Sequence, residues 1–316
     1  MDLMKPVSIL GATGFIGRHL ISQLQENGIL SGNLLVRKGA EIDFPEEKFS
    51  LFSYDFEAMG LPDGFIEPGA TVINLSYISG DDTSENLRLI DKLCDECIQK
   101  KASRILHCST AVVVGNSTSK IVDEETSCHP TPGYEFCKLS LENHLIGRIG
   151  KICEVVVLRP TAVFGRGGLN LNTILHSIKN KGAFYNLLKS SFLKDRRMNL
   201  VSVEKVVAAI IFFIQFQGHP DGPVFIVADD DVSENSYGGI YRIAMETLGR
   251  KPAAQLPVPF RSVILKCILR LFRGRSIDPD RIYSDAKLRA NGFKFTDDFS
   301  ARVSDYALWY YSQIEG

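Results

Sequence analysis

The chain has 316 residues, 45% of them apolar and 23% charged, and its formal net charge at pH 7 is −1. These values are typical of one large α/β domain, or of a nucleotide-binding domain joined to a smaller one. The near-zero charge argues against nucleic acid as a partner, because no basic field is available to recruit it.

Two features bear on the setting of the protein. The start of the chain runs directly into an apolar strand pattern without a signal-peptide signature, and seven cysteines are scattered along the sequence. We therefore expect reduced thiols and a cytoplasmic location. Cys94 and Cys97 form a C-x-x-C pair in a helical pattern, where packing is the simpler interpretation, so no metal site is expected. The most apolar stretch, 206–216, is too short for a membrane span of about 20 residues and predicts a buried helix.

The first half of the chain alternates short apolar runs with helical patterns. Such patterns of strand and helix predict a doubly wound parallel sheet with right-handed crossovers. The strands are rich in β-branched residues and lack clean alternation, which indicates burial on both faces. Strands are predicted at 7–10, 33–37, 49–55, 71–76, 104–109 and 153–159, and helices at 15–27 and 83–101.

The pattern changes after about residue 165. We predict a nucleotide-binding domain over 1–165, with a segment at about 200–230 returning to it, and a smaller mixed α/β substrate lobe over most of 166–316. Helical segments dominate this later part, at 172–189, 203–217, 236–248 and 259–273, with a short strand at 223–228.

The first strand ends in a glycine-rich turn that opens a helix. In this setting Gly11 makes the tight turn, Gly14 lets the backbone approach a pyrophosphate, and Gly17 lets the helix pack closely on the strand. Amides at the helix start then bind the phosphate charge. The neighbouring residues are candidate cofactor contacts as well: Thr13, Phe15, Ile16 and Arg18.

The second strand ends with Arg37 and Lys38, where an NAD-binding fold usually carries an acid for the ribose 2′-hydroxyl. A cation at this place suits a 2′-phosphate, and Arg18 is a further candidate for that contact. The sequence thus favours NADP over NAD, although solvated surface charges are the alternative interpretation of Arg37 and Lys38.

Tyr134 and Lys138 stand four residues apart in a helical segment, so their side chains face the same way. A phenol has a pKa near 10, and lowering it by two or three units takes about 3–4 kcal/mol of charge stabilisation. An ammonium one turn away supplies part of this, helped by the cationic ring of an oxidised nicotinamide. Thr110, at the end of a predicted strand, can offer a hydroxyl to a substrate oxygen. With the glycine turn, these residues predict an acid/base site.

Together these motifs resemble the extended short-chain dehydrogenase/reductase family, in particular its nucleotide-sugar epimerase, dehydratase and reductase branch. The resemblance covers nearly the whole chain. Its motifs are G-A-T-G-F-I-G at 11–17, V-I-N-L-S at 72–76, the Ser109-Thr110 pair, Y-x-x-x-K at 134–138, L-R-P-T-A-V-F-G-R-G at 158–167 and the closing pattern at 282–295.

The resemblance implies a Rossmann fold and a role for each matching residue. Tyr134 would be the general acid/base, Lys138 would lower its pKa and bind the nicotinamide ribose, and Thr110 would orient the reacting oxygen. Asn86 would support Lys138 through a water. The other implied cofactor contacts are Asp55 and Phe56 at the adenine, Leu75 and Ser76 at the end of the fourth predicted strand, and Arg159 and Pro160 beside the nicotinamide. The candidate substrate contacts are Ser109, Thr161, Arg197 and Arg281.

The sequence departs from the family pattern at three places, and the first of them bears on which reaction is expected. Thr110 is followed by Ala111 and Val112, where 4,6-dehydratases carry an acidic pair, so dehydration is not expected. Val114 replaces a usual tyrosine. Lys205 stands where the late family motif has an acid.

The segment 257–275 is basic and amphipathic and contains no acid. It predicts either a helix that packs on the body of the protein or a peripheral contact with an anionic membrane.

We therefore expect an NAD(P)-dependent oxidoreductase or isomerase that acts on a nucleotide-activated sugar in polysaccharide biosynthesis, by 4-keto reduction or C4 epimerisation. The basic end of strand two favours the reductase, and the motif set fits the epimerases equally. The resemblance also implies a homodimer through the helices at 83–101 and 134–148. The alternatives are a non-catalytic NADP-binding regulatory protein and a reductase of a non-sugar carbonyl.

Overall fold

A computed structural model describes residues 6–28, 31–39, 49–54, 61–79, 83–252 and 278–314. The strands are β1 (Val7–Leu10), β2 (Gly32–Arg37), β3 (Phe49–Tyr54), β4 (Thr71–Asn74), β5 (Arg104–Cys108), β6 (Ile121–Val122), β7 (Glu154–Pro160), β8 (Ala162–Phe164), β9 (Leu200–Ser202), β10 (Val224–Val227) and β11 (Ile282–Tyr283). The helices are α1 (Phe15–Glu26), α2 (Thr83–Gln99), α3 (Tyr134–Ile149), α4 (Asn172–Asn180), α5 (Ala183–Leu193), α6 (Val203–Gln215), α7 (Tyr237–Thr247), α8 (Ala286–Ala290) and α9 (Phe299–Gln313), and Ala111–Val114 forms a 3₁₀ turn.

A seven-stranded parallel sheet in the order β10-β7-β5-β4-β1-β2-β3 forms the centre of the fold. The chain moves outward from β1 to β3 on one side and from β4 to β10 on the other. The strand order therefore reverses between β1 and β4, which is where doubly wound folds bind ligands at the carboxyl ends of their strands. The predicted doubly wound Rossmann fold is confirmed.

The elements of the first half follow the predicted ones closely, because strands buried on both faces alternate with amphipathic helices. The helix predicted over 172–189 is wrong as a single element. The chain is extended at Lys181, and α5 begins only after Gly182, so two helices replace one. The helix predicted at 259–273 lies outside the described residues, as does the whole of the basic segment 257–275.

The chain divides into two compact units. The first comprises Met1–Val113, Pro130–Arg159 and Val207–Phe225, and the second comprises Val114–His129, Pro160–Val206 and Ile226–Gly316.

The first unit contains a core in which α2 and α3 pack on the sheet. Cys94 and Cys97 are buried in it among aliphatic side chains, and burial raises the pKa of the Cys94 thiol to about 12. Both cysteines therefore pack as small apolar residues. Across the described ranges, no set of three or more His, Cys, Asp or Glu side chains is arranged to hold a metal ion.

The second unit has a core of its own, built on an aromatic cluster of Phe164, Phe299 and Tyr306. The Tyr306 hydroxyl donates to the Gly168 carbonyl at 2.7 Å, which ties α9 to the chain after β8. The apolar segment 206–216 falls largely within α6, most of which belongs to the first unit, and this helix has many buried residues. In the described part of the chain, no helix has both the length and the apolar character needed to cross a membrane.

Candidate active site

The glycine turn between β1 and α1 closes as the sequence predicts. Gly11 has φ +81°, and a Cβ there would lie 2.8 Å from the Leu75 carbonyl carbon. The Gly14 amide donates to the Gly11 carbonyl at 3.0 Å, and Gly14 precedes the first residue of α1. A side chain at Gly17 would collide with the turn itself. Each glycine is thus required by backbone contacts of its own.

The turn opens onto a cavity of about 200 Å³ at the carboxyl ends of β1, β2 and β4. Its wall brings together residues that the sequence predicted as cofactor contacts. They include Gly11, Thr13, Gly14, Arg37, Leu75 and Ser76, and the remaining wall is largely apolar with Tyr54, Tyr77 and Ile78 among its members. Arg18 lies at the edge of the turn, where its Nε donates to the Thr13 carbonyl at 3.0 Å.

These features fit a dinucleotide. At Gly11 and Gly17 a Cβ has no room, so the backbone of the turn is left bare for a phosphate to approach. The first amides of α1 lie at the same end of the sheet and can bind the phosphate charge. Arg37 contributes a cation to the cavity wall where a ribose 2′-phosphate would be read. Lys38 is exposed after β2, and Asp55 and Phe56 lie outside the described residues.

The loop after β4 is fixed by two asparagine side chains. Asn74 Oδ1 accepts from the backbone amide and the hydroxyl of Ser76, at 3.1 and 2.6 Å. Asn86 Oδ1 accepts from the Ile78 amide at 2.9 Å, and its Nδ2 donates to the Ile78 carbonyl at 2.8 Å. The Asn86 amide group thus holds the wall of the cavity, and its support of Lys138 through a water stays a prediction.

The start of α3 places the predicted acid/base pair. Gly133 has φ +92°, a conformation that favours glycine, and its carbonyl accepts from the Cys137 amide at 2.9 Å. Tyr134 is the first residue of the helix and is 47% exposed. Lys138, one turn later, is only 4% exposed, and its Nζ donates to the Cys108 carbonyl at the end of β5, at 3.1 Å.

Thr110 lies beside this pair, near enough for its side chain to favour the charged form of Tyr134 and so to lower its pKa. Partial burial nevertheless raises the pKa of Tyr134 to about 12, and the nearby Thr110 side chain only partly opposes this. Burial also lowers the pKa of Lys138. The resemblance implied a lowered phenol pKa; the protein's own groups instead keep Tyr134 protonated at neutral pH, because burial outweighs the favourable contact.

An aromatic contact that the sequence analysis missed lies beside the pair. The rings of Tyr77 and Tyr134 meet edge to face, with centroids 5.2 Å apart and planes at 88°. The Lys138 Nζ lies over the Tyr77 ring, 4.8 Å from its centroid. Tyr77 directly follows the V-I-N-L-S motif, and this position on the loop after β4 is the sequence feature that could have identified it as part of the site.

Buried polar groups lie beneath the site. Asn74 Nδ2 donates to His107 Nδ1 at 3.2 Å, and His107 Nε2 is buried without a hydrogen-bond partner among the described residues. Burial, with a smaller effect of Lys138, lowers the pKa of His107 to about 3. The imidazole is therefore neutral and is part of the scaffold under the cavity.

Arg159, predicted beside the nicotinamide, is buried at the end of β7 and bound to Glu142 of α3. Its Nη2 lies 2.6 Å from Glu142 Oε2, and its Nε is 3.1 Å from the same oxygen. The guanidinium thus ties β7 to the helix that carries Lys138, and Pro160 ends the strand. Ser109, at the end of β5, has a buried hydroxyl with no hydrogen-bond partner among the described residues.

The remaining substrate candidates belong to the second unit. Thr161 carries a buried hydroxyl with no hydrogen-bond partner in the described ranges, and Arg197 Nη1 donates to the Val232 carbonyl at 3.2 Å. Arg281 is buried, and its guanidinium donates to the carbonyls of Gly115 and Ser117. This engagement gives Arg281 a structural role, while substrate contacts of these residues stay predictions.

Lys205, which departs from the family pattern, has buried acidic partners. Its Nζ lies 2.7 Å from Asp229 Oδ1 and 2.9 Å from Asp285 Oδ2. Burial acts against its charge, but the two carboxylates outweigh burial and raise the pKa of Lys205. Asp285 belongs to the closing motif of the sequence. Position 205, where the family motif has an acid, therefore carries a cation that pairs with Asp285.

Comparison with known proteins supports the sequence-based identification. Residues 7–228 match the model of the NAD-dependent epimerase/dehydratase family. No protein with a curated functional record matches the sequence.

Solved structures share the fold at low sequence identity. Bordetella bronchiseptica WbmG, solved with NAD and UDP, is 20% identical with a TM-score of 0.69, over 99% of this chain and 96% of its own. MoeE5, solved with UDP-glucuronic acid and NAD, is 18% identical with a TM-score of 0.67, over 98% and 99%. The UDP-glucose 4-epimerase of Thermus thermophilus, solved with NAD, is 17% identical with a TM-score of 0.68, over 97% and 99%.

Proposed function

Because the chain belongs to the NAD-dependent epimerase/dehydratase family, we propose that it is an NAD(P)-dependent oxidoreductase that acts at C4 of a nucleotide-activated sugar. One observation carries the proposal. Thr110 lies near enough to Tyr134 for its side chain to lower the pKa of the phenol, and Lys138 follows Tyr134 by one helical turn in the unit that contains the glycine turn. A non-catalytic nucleotide-binding protein has no use for this set.

The chain's own residues divide the work between binding and proton transfer. The turn at Gly11 and Gly14 holds the pyrophosphate, and the wall formed by β2 and the loop after β4 holds the adenosine half. When bound, the nicotinamide ring supplies or accepts the hydride at the sugar carbon. Thr110 orients the reacting oxygen, and Tyr134 gives a proton to that oxygen or takes one from it.

Reduction of a 4-keto sugar is the direction that these groups favour. Tyr134 has a pKa raised to about 12 by partial burial, so at neutral pH it is a proton donor, as an alkoxide formed by reduction requires. Arg37 lines the cavity where a 2′-phosphate would lie, which suits an exchangeable NADPH. The Arg37 cation is the observation that points to the reductase, because a phenol with its ordinary pKa near 10 is protonated at neutral pH as well.

C4 epimerisation is the second candidate. The Thermus thermophilus structure is a UDP-glucose 4-epimerase solved with NAD, and MoeE5 was solved with UDP-sugars and NAD. In an epimerase the same Tyr134 would remove the proton of the C4 hydroxyl and later return it. That use requires the phenol pKa to fall, and the charge of an oxidised nicotinamide acts in that direction.

A homodimer through α2 and α3 and a cytoplasmic location complete the proposal. A UDP-sugar is the first substrate to test, because UDP or UDP-sugars are bound in WbmG and MoeE5.

The experiment begins with the nicotinamide that copurifies with the full-length protein. The cofactor is released by denaturation and identified. The protein is then mixed with NADPH or NADH and a panel of UDP-sugars and UDP-4-keto sugars, with thermal shift for binding and nicotinamide absorbance for turnover.

The reductase predicts little retained cofactor and consumption of NADPH with a 4-keto sugar nucleotide. Stoichiometric, tightly held NAD with interconversion of C4 epimers would instead establish the epimerase. Binding of nicotinamide without turnover of any sugar nucleotide would contradict the proposal.

A further inference from the structure

The loop between β4 and α2 carries Tyr77, and both of its neighbours in the chain are held by side-chain hydrogen bonds. On one side of Tyr77, Ser76 is fixed by two hydrogen bonds to Asn74 Oδ1. On the other side, Ile78 is fixed through both its amide and its carbonyl by Asn86. The residues flanking Tyr77 are therefore anchored by side-chain amides, and the backbone at Tyr77 has little freedom to move.

The Tyr77 ring contacts both members of the predicted acid/base pair. It meets the Tyr134 ring edge to face, with centroids 5.2 Å apart. The Lys138 Nζ lies over its face, 4.8 Å from the centroid, which is within the range of a cation–π contact. Lys138 is 4% exposed, so its ammonium has exchanged water for this ring and the Cys108 carbonyl.

We propose that Tyr77 is a positioning residue of this site: its ring holds the Lys138 ammonium over one face and keeps the Tyr134 ring in register with it. The proposal rests on the proposed function, because it assigns Tyr77 to the Tyr134–Lys138 pair of that reaction. It does not require Tyr77 to touch the reacting atoms.

Other groups around Lys138 do not replace this contact. Glu142 lies one turn further along α3, but it is bound to Arg159. Cys108 and Cys137 are thiols, and burial raises the pKa of Cys108, which keeps that thiol neutral. His107 is neutral as well. Among these neighbours, the Tyr77 ring provides the negative π face that a buried ammonium can use.

Two substitutions at Tyr77 test whether the aromatic face, and not the hydroxyl, holds Lys138. Tyr77→Phe keeps the ring face and removes the hydroxyl. Tyr77→Leu removes the π face and leaves a shorter apolar side chain beside Lys138. Tyr185→Leu is the matched control, because Lys189 lies over the Tyr185 ring at 5.8 Å on α5, in the other unit.

The measurement is NMR of the full-length protein with ¹³C-labelled lysine, with the Lys138 signal assigned from Lys138→Arg. A lysine above an aromatic face carries a ring-current shift, which reports the contact directly, and the Lys138 pKa reports its effect on the charged form. We expect this shift in the wild type and in Tyr77→Phe, and its loss in Tyr77→Leu. The pKa of Lys138 should fall by about 0.5–1 unit in Tyr77→Leu, since a stabilising contact of its charged form is gone.

Turnover is measured on the same variants at saturating cofactor. We expect Tyr77→Leu to lower kcat about 10-fold and Tyr77→Phe to lower it clearly less, while Tyr185→Leu retains it. An unchanged Lys138 shift and pKa in Tyr77→Leu would overturn the proposal, as would equal loss of kcat in Tyr77→Phe. The NMR arm uses no substrate, so it tests the contact even if the proposed reaction fails.

Discussion

Gly17 faces the backbone carbonyl of Gly11 so closely that a Cβ added at Gly17 would lie 2.3 Å from that oxygen. The atom in the way is backbone and cannot rotate aside. Gly17→Ala should therefore push α1 away from the turn, lower the free energy of unfolding by about 3 kcal/mol and weaken nicotinamide binding together with it. Urea unfolding and cofactor titration measure both effects.

The matched control is Gly147→Ala on α3, where a Cβ meets nothing within 4 Å. A helical alanine should stabilise the protein there by about 0.5–1 kcal/mol and leave cofactor affinity unchanged. If Gly17→Ala behaved like Gly147→Ala, the close approach of α1 to the turn would be wrong.

Because His107 is buried in its neutral form, we expect the free energy of unfolding to fall at acid pH. Its pKa is lowered to about 3 by burial, against an ordinary 6.5, so the unfolded chain binds this proton more readily than the native protein. The stability that the neutral ring contributes is fully present above pH 6.5 and is lost as the pH falls towards 3. By pH 4.5 the loss attributable to His107 should reach about 3 kcal/mol.

His107→Gln removes this titration while keeping a group that can accept from Asn74. The difference in apparent unfolding free energy between wild type and His107→Gln should therefore shift by about 3 kcal/mol between pH 7.5 and pH 4.5. Parallel pH curves for the two proteins would show that His107 is not buried as described.

Lys205 is held between two buried carboxylates, and its removal should leave them without a cation. Lys205→Met is expected to lower the free energy of unfolding by about 3–5 kcal/mol, since breaking a buried ion pair strands the remaining charge. The exposed Lys181→Met serves as the control and should change stability by less than about 0.5 kcal/mol. Comparable midpoints for the two variants in chemical denaturation would argue against the buried triad.

Arg37 is the residue on which the cofactor preference depends. Arg37→Ser should weaken NADPH binding about 10-fold and leave NADH binding nearly unchanged, because only the 2′-phosphate loses its partner. Fluorescence titration with each nucleotide gives the ratio. An equal change for both nucleotides would place Arg37 outside the 2′-phosphate site, and the exposed Lys151→Ser should alter neither affinity.

The parts of the fold that the sequence predicts well are those with one dominant local signal. The strand at 7–10 is apolar throughout apart from Ser8 and ends in glycines whose backbone contacts allow no side chain, so the turn and α1 follow directly. The helix over 172–189 failed because the apolar spacing continues across Lys181 and Gly182, where the chain in fact turns extended. Periodicity alone does not detect a break that leaves the spacing intact.

The sequence points to candidate residues of the site better than it points to the contacts between them. Tyr134, Lys138 and Thr110 were singled out as candidates by type and spacing, and their roles stay predictions. The hydrogen bonds of Asn86 to Ile78 and the ring of Tyr77 over Lys138 depend on how distant segments pack, and no local pattern carries that information. The buried partners of Arg159 and Lys205 escaped for the same reason, since an ion pair between remote residues leaves no periodic trace.

The most direct test of the central claim compares the wild type with Tyr134→Phe in a single turnover of bound NADPH on a UDP-4-keto sugar. The variant keeps the ring and loses the proton donor, so its rate should fall by at least about 100-fold while its affinity for NADPH stays within about twofold. Oxidation of NADPH by Tyr134→Phe at the wild-type rate would show that Tyr134 is not the acid of this reaction and would contradict the account.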